Sequence, residues 1–89
     1  MKSFSVRYHK RALKQLSKMD RSTKALLFNW IETNLIGCSD PRFSGKALSG
    51  SYKGLWRYRV GDYRLVADIR DEEILIIIVN VGHRREIYR

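Results

Sequence analysis

The sequence predicts a single α+β domain in which a helical hairpin packs on one face of a small four-stranded antiparallel sheet. The predicted order of elements is β-α-α-β-β-β. A chain of 89 residues has the length of one domain, 1–89. Near residue 8 the hydrophobic period changes from two to that of a helix. After a loop at residues 38–50, three strand-like runs are separated by tight turns.

The first half of the chain predicts one strand and two helices. Phe4, Val6 and Tyr8 alternate with polar residues, as in a half-buried strand. Asp20 offers an N-cap for the second helix, and Gly37 suits the position just past its end. The two helices are joined by so few residues that a hairpin is expected. Their apolar positions are Ala12, Leu13, Leu16 and Met19 in the first helix and Leu26, Leu27, Trp30, Ile31 and Leu35 in the second.

The second half predicts three strands, at Leu55–Val60, Tyr63–Ile69 and Ile74–Val81. Gly61 and Asp62 fit a two-residue hairpin turn between the first two. The third run is apolar at nearly every position, which indicates a central strand. Its expected neighbours are the preceding strand and the N-terminal strand. The helices then cover one face of the sheet, and the other face is expected to be free.

Charge is the most informative part of the composition. Eighteen Lys and Arg residues against nine Asp and Glu give a net charge of +9, which indicates a polyanionic partner, nucleic acid or an acidic protein segment. One cysteine excludes an internal disulfide, and with two histidines it cannot complete a closed zinc site, so no metal or cofactor is expected. With no apolar run long enough for a membrane span and no secretion signal, a cytoplasmic protein without membrane contact is expected.

Three arginines share one face of the predicted sheet. Strand alternation places Arg57, Arg59 and Arg64 opposite the aromatic side chains, and a turn at Gly61 and Asp62 sets Arg59 against Arg64. Moving the turn back by one residue sets Arg57 against Arg64 and leaves the faces unchanged. Such a cluster is either a solvated face partly balanced by Asp62 and Asp68, or a phosphate-binding surface. We favour the second, because guanidinium groups match phosphate oxygens in geometry and in charge.

The C-terminal segment adds groups suited to RNA chemistry. Attack by a 2′-hydroxyl needs a proton acceptor, positive charge around the phosphate and a proton donor. His83 is the natural proton carrier, and Tyr88 could orient the nucleophile, act as an acid or stack on a base. Ile87 gives the segment an apolar anchor. If Ile87 docks, His83, Arg84 and Tyr88 are expected near the three arginines.

Two segments resemble the RelE/ParE superfamily of bacterial type II toxins: residues 52–66 (YKGLWRYRVGDYRLV) and residues 81–88 (VGHRREIY). The basic first helix, with ALKQL at residues 12–16, is also similar. The resemblance covers nearly the whole chain, although the second helix and the following loop match only loosely. It implies a RelE-like microbial ribonuclease fold and metal-free cleavage of mRNA in the ribosomal A site. It also implies a RelB-like antitoxin through which the complex binds operator DNA, in the cytoplasm of a bacterium or archaeon.

The resemblance also assigns roles to residues. Arg64 corresponds to the strand arginine that stabilises the scissile phosphate, and Arg84 to the second catalytic arginine near the C-terminus. Tyr88 corresponds to the tyrosine that stacks on a base or guides the nucleophile. Arg57 lies where the best-known RelE has a catalytic lysine. The shorter tail leaves a small gap in the alignment of Arg84 and Tyr88.

One departure concerns the general base. The second lysine of that RelE falls on Leu55, and an arginine cannot replace it as a base. His83 would then take an acid/base role, with Lys46 or Lys53 as the alternative acceptor. The other residues predicted to bind RNA or phosphate are basic: Lys10, Lys14, Lys18, Lys46, Lys53, Arg57, Arg59 and Arg85.

Three functions remain open from the sequence. The first is a ribosome-dependent endoribonuclease, favoured by the joint presence of Arg64, Arg84, His83 and Tyr88. The second is a ParE-like inhibitor of DNA gyrase that cuts no RNA, and the third is a basic domain that binds RNA or ribosomes without chemistry. The lysines of the first helix are either a solvated face or a contact to ribosomal RNA.

Overall fold

The structure, a computed structural model, describes residues 2–87. Two helices pack on a five-stranded sheet of order β1-β5-β4-β3-β2, which confirms the predicted α+β class. A short 3-10 helix, Gly50–Tyr52, precedes β3. The elements are β1 Ser5–Tyr8, α1 Lys10–Ser17, α2 Arg21–Asn34, β2 Lys46–Ala47, β3 Trp56–Val60, β4 Tyr63–Arg70 and β5 Leu75–His83.

The central position predicted for the third C-terminal run is confirmed, since β5 lies between β4 and β1. The prediction of an all-antiparallel sheet is wrong, because β1 runs parallel to β5, with Ser5 opposite Leu75 and Tyr8 opposite Ile78. No hairpin joins β1 to β5. The chain leaves β1 through the two helices and returns at the far edge of the sheet, so no tight turn forces an antiparallel pair.

The predicted count of four strands is also wrong, because β2 pairs with β3 at the edge of the sheet. Gly45 makes this close approach possible, since it has a φ of +90° and a Cβ there would meet the carbonyl of Arg57 and the indole of Trp56. The Trp56 indole nitrogen also donates a hydrogen bond of 2.7 Å to the carbonyl of Ser44. So short a strand could not be recognised from the sequence, because the loop around it is rich in turn-forming residues.

Strand β5 extends past the end of β1 at Tyr8. Helix α1, which follows β1 in the chain, lies beside this extension of β5. The side chain of Gln15 accepts a 2.6 Å hydrogen bond from the backbone nitrogen of Val81 and donates one to the side chain of Asn80. Gln15 thus supplies the acceptor that a longer β1 would have offered to the edge of β5.

One core fills the space between the helices and the sheet. Leu16, Leu27 and Ile31 from the helices pack with Leu65 and Ile78 from the sheet in one buried cluster. The helices bury fewer residues than their apolar stripes predict: Leu13 is 49% exposed and Leu26 is 50% exposed. Within residues 2–87, no helix combines the length and apolarity needed to cross a membrane.

Two further polar contacts hold the loop before β2 against the rest of the domain. The buried Tyr58 hydroxyl donates to the carbonyl of Pro41, and burial raises the pKa of this phenol, so it stays a donor. Arg42 forms two hydrogen bonds of 2.9 Å with the carboxylate of Asp71, and these lower the pKa of Asp71. These contacts fix the path of the chain that leads to Lys46.

Replacing His9 by alanine is expected to destabilise the protein by about 1 kcal/mol, because His9 is the N-cap of α1. Its Nδ1 accepts a 3.0 Å hydrogen bond from the backbone nitrogen of Arg11. Asn at this position restores an acceptor and should recover most of the loss. Urea denaturation of both variants measures the difference, and equal stability of His9→Ala and His9→Asn would contradict the capping role.

Candidate nucleic-acid interface

Arg57, Arg59 and Arg64 lie together on the sheet face opposite the helices, which we call the arginine face. The β3–β4 register sets Arg59 opposite Arg64 and Val60 opposite Tyr63, which confirms the turn predicted at Gly61 and Asp62. Like charges opposed across a hairpin cost stability, by up to about 1 kcal/mol per pair. An anion bound between them would relieve this repulsion.

Two of the predicted catalytic residues, Arg64 and Arg84, lie at this turn. Arg64 is only 8% exposed, and its Nη1 donates hydrogen bonds of 3.0 Å to the carbonyls of Gly61 and Tyr63. The backbone nitrogen of Arg84 donates a 2.8 Å hydrogen bond to the carbonyl of Asp62. The Arg84 guanidinium lies 4.0 Å from the carboxylate of Asp62. Arg64 and Arg84 therefore share one end of the sheet.

Arg57 has an unsatisfied donor on this face. Its Nε is buried and has no hydrogen-bond partner in the described part of the chain. Its cross-strand neighbours are Lys46 on β2 and Val66 on β4, so the predicted lysine lies on the same face. A buried N–H without an acceptor is costly.

The C-terminal segment docks on the arginine face. This face was predicted to be free, and it is therefore only partly so. Ile87 is only 4% exposed, and its side chain lies 3.5 Å from where a Cβ on Gly82 would be. Gly82 is the cross-strand partner of Arg64, which places Ile87 over the arginine side of the sheet. The side chain of Asn80 donates a 3.1 Å hydrogen bond to the carbonyl of Ile87. Tyr88 lies outside the described residues, so its predicted role stays a prediction.

His83 lies at the same end of the sheet as Arg64, but its side chain is on the helix side, so the prediction that places it by the arginine face is wrong. It pairs with Tyr63, whose side chain packs against the helix-side core, and the two rings meet edge to face at 5.6 Å. His83 lines a cavity of about 480 Å³ on the helix side together with Lys18, Asp20 and Glu86.

A β-bulge explains the position of His83. Val66 pairs with Asn80 but the next residue of β4, Ala67, pairs with Ile78, so β5 gains one residue here. The extra residue reverses the alternation. Val81 and His83 therefore share the helix side with Ile78, whereas uninterrupted alternation would put His83 among the arginines.

A cavity of about 290 Å³ lies on the arginine side of the sheet, lined by His9, Arg11, Leu55, Asp68 and Val79. From the sequence, Asp68 is expected only to balance charge on this face, and His9 is not expected to be a site residue. Nothing in the sequence signals the position of His9, because it depends on the pairing of β1 with β5.

The remaining predicted residues are exposed and more scattered. Lys53 follows the 3-10 helix, and Arg85 lies in the turn after β5. Lys10, Lys14 and Lys18 are exposed on or beside α1. Among residues 2–87, no three His, Cys, Asp or Glu side chains are grouped as a metal site would require.

Comparisons with known proteins identify the family of the chain. Residues 6–88 match the family described as the ParE toxin of type II toxin–antitoxin system, parDE. The chain is 31% identical over 86 residues to Toxin RelG of Mycobacterium tuberculosis, which covers 97% of each protein. Its fold is similar to a chain of the toxin–antitoxin complex RelBE2 from the same organism, with a TM-score of 0.85 at 29% identity and 97% of both chains covered.

The fold is also similar to a chain of the intact E. coli RelBE toxin–antitoxin complex. The TM-score is 0.73 at 23% identity, with 91% of this chain and 96% of that chain covered, a likeness that concerns the fold. The family match spans nearly the whole sequence and the match to RelG is equally complete. This chain therefore belongs to the RelE/ParE superfamily of type II toxins.

Proposed function

We propose that this toxin is a ribosome-dependent, metal-free endoribonuclease that cleaves mRNA in the ribosomal A site. One observation carries the proposal: Arg57, Arg59 and Arg64 share one sheet face, with Arg84 at the end where Arg64 is held. Guanidinium groups fixed in this way stabilise the charge that develops on a phosphate during 2′-hydroxyl attack.

The hydrogen bonds of Arg64 support its assignment to the scissile phosphate. Because the carbonyls of Gly61 and Tyr63 hold one of its nitrogens, the guanidinium is oriented before substrate binds. Preorganised donors of this kind lower the barrier without reorganisation during the reaction. Arg84 supplies a second positive charge at the same turn, and Arg57 supplies a donor that lacks a partner.

The proposed protein partner is an acidic RelB-like antitoxin. The net charge of +9 favours a negatively charged partner. Two of the similar structures are toxin–antitoxin complexes, which supports a complex of the same kind here. We expect operator DNA to be bound by that complex through the antitoxin.

A ParE-like inhibitor of DNA gyrase is the second candidate function. The family that matches residues 6–88 is described as the ParE toxin of a type II toxin–antitoxin system. This description favours the gyrase inhibitor. It predicts that the protein blocks DNA supercoiling and leaves mRNA intact. Ordered arginines on a sheet face are not required by such a function, so we rank it second.

Primer extension on translated mRNA tests the proposal. Purified, antitoxin-free protein is added to ribosomes stalled on a defined message, and the 5′ ends of the downstream fragments are mapped. New ends at A-site codons that appear only with ribosomes are expected. Cleavage of naked RNA at the same rate would contradict ribosome dependence. No cleavage by folded protein would overturn the nuclease, and inhibition of gyrase supercoiling by the same preparation would then establish the second candidate.

Removing two lysines of α1 is expected to weaken ribosome binding without changing the chemical step. Lys10 and Lys14 are exposed on α1. If both contact ribosomal RNA, the double variant Lys10→Gln/Lys14→Gln lowers the slope of log affinity against log salt by about 1 to 2. Ribosome binding measured at several salt concentrations gives the slope. Equal slopes for the variant and the parent would show that these lysines are only solvated.

A further inference from the structure

The arginine face continues beyond the end of the sheet that holds the proposed catalytic arginines. Arg64 and Arg84 lie at the β3–β4 turn, where the carbonyls of Gly61 and Tyr63 hold the guanidinium of Arg64. Asp68 lies four residues farther along β4, which corresponds to about 13 Å. An RNA strand that contacts both places must therefore span more than the two nucleotides that the scissile phosphate joins.

Basic side chains lie between these two places. Arg57 is opposite Val66, which lies midway between Arg64 and Asp68 on β4, and Lys46 is opposite Arg57 on β2. The docked C-terminal segment lies over the part of β5 next to Arg64, so the path along β3 and β4 leads away from it. Basic side chains on such a path hold the phosphate backbone and carry no base specificity.

The charge of the face changes at Asp68. Among residues 2–87 it is the one acidic residue at a strand position on this face. A carboxylate repels phosphate oxygens and accepts hydrogen bonds, and the donors that RNA offers lie on the base edges and on the ribose hydroxyl. Nε of Arg70 donates a 3.1 Å hydrogen bond to Oδ2 of Asp68, which orients the carboxylate, while 31% of the side chain stays exposed. Asp68 is thus placed to accept hydrogen bonds from a base.

The cavity of about 290 Å³ beside Asp68 has the composition of a base-binding pocket. Leu55 and Val79 form an apolar wall, and His9 and Arg11 also line the cavity. Proteins commonly hold an unpaired RNA base by stacking it on an aromatic ring or on a guanidinium plane. The imidazole of His9 is held in place, because its Nδ1 accepts a 3.0 Å hydrogen bond from the backbone nitrogen of Arg11. Apolar walls with a few converging polar groups are typical of small-molecule sites.

We infer that this cavity binds the base of a nucleotide beyond the two that the scissile phosphate joins, and that Asp68 makes the cavity selective for guanine. The inference rests on the proposed function and adds a sequence preference to it. Guanine presents two neighbouring donors, its N1–H and its 2-amino group, which match the two oxygens of a carboxylate. The Watson–Crick edges of adenine, cytosine and uracil each set an acceptor beside the donor, and that acceptor would face the carboxylate.

Cleavage of messages that differ at one nucleotide tests this inference. Rates are measured at limiting toxin on stalled ribosomes, with each base in turn at the positions on both sides of the cleavage site. At one position beyond the two joined by the scissile phosphate, the parent protein should cleave the guanine message about 10- to 100-fold faster than the adenine message. Inosine, which lacks only the 2-amino group of guanine, should lose most of this preference.

Asp68→Asn keeps the size of the side chain and replaces one acceptor oxygen by a donor. We expect this variant to cleave the guanine, inosine and adenine messages at rates within about threefold of one another, and the adenine message at close to the parental rate. Glu73→Gln is the matched control, since Glu73 is exposed in the turn between β4 and β5, and it should keep the parental preference.

Asp68→Thr keeps the test decisive if Asp68→Asn does not fold, because threonine suits a strand and also lacks the carboxylate. Equal parental rates for all four bases, or a guanine preference that survives in either variant, overturn the inference and leave the nuclease intact. A uniform loss of cleavage on every message by a folded variant also overturns it, since a group that reads one base does not slow the others. No cleavage by the parent protein overturns the nuclease and this inference together.

Discussion

Replacing Arg64 by alanine is expected to lower A-site cleavage by about 10²- to 10³-fold, the usual cost of losing a preorganised group that stabilises transition-state charge. The residue is buried, and its guanidinium is held by the carbonyls of Gly61 and Tyr63. Arg64→Lys keeps the charge but loses the planar guanidinium with its paired N–H donors, so an intermediate cleavage rate is expected. The cleavage rate is measured on stalled ribosomes, as for the parent protein.

Two controls separate catalysis from folding in this experiment. Arg21→Ala removes the same charge at the start of α2, on the helix side, and should leave cleavage unchanged. Arg64→Ala also loses hydrogen bonds at the β3–β4 turn, which should cost about 1 to 2 kcal/mol of stability. Thermal unfolding shows that the variant is folded at the assay temperature. Parental cleavage by folded Arg64→Ala would remove Arg64 from the site.

Replacing Ile87 by alanine is expected to reduce both stability and cleavage. Ile87 is buried against Gly82, and its carbonyl accepts the hydrogen bond from Asn80. Truncating a buried isoleucine costs about 2 to 5 kcal/mol, and the low end applies here because the site is at the edge of the domain. Urea denaturation gives this value. Cleavage should fall because Ile87 anchors the segment that carries Arg84.

Leu27→Ala is the matched control for this variant. Leu27 is fully buried in α2 on the helix side, so its truncation costs at least as much stability but leaves the arginine face intact. At a temperature where both variants are folded, only Ile87→Ala should cleave more slowly. An equal loss of cleavage in both would mean that Ile87 acts through global stability alone.

The arginine face could be predicted because it depends on local rules. The turn at Gly61 and Asp62 sets the register of β3 and β4, and alternation along each strand then fixes which side chains share a face. Arg57, Arg59 and Arg64 are all within a few residues of that turn. Their grouping therefore requires no knowledge of the rest of the fold.

The position of His83 could not be predicted in the same way. Its face depends on the bulge at Val79, which reverses the alternation in β5. The only trace of the bulge in the sequence is that the buried positions change from even-numbered, Ile76 and Ile78, to odd-numbered, Val81. In a run of consecutive apolar residues that change is invisible, because every position is suited to a core.

Four features are decided by contacts between segments far apart in the chain. β1 pairs in parallel with β5, α1 lies beside the extension of β5, and His9 is thereby brought to the cavity that Asp68 lines. The short strand β2 forms because Gly45 admits the backbone of β3, which places Lys46 beside Arg57. None of these arrangements follows from the sequence pattern of its own segment.

The sequence by itself determined the α+β class, the central strand, the β3–β4 hairpin and the arginine cluster, because periodicity and turn chemistry act within a few residues. The tertiary structure decided the direction of β1, the fifth strand, the side of the sheet on which His83 lies, and the cavity beside Asp68. These depend on register between distant segments and on one inserted residue, and a shift of one residue in a strand moves a side chain to the opposite face.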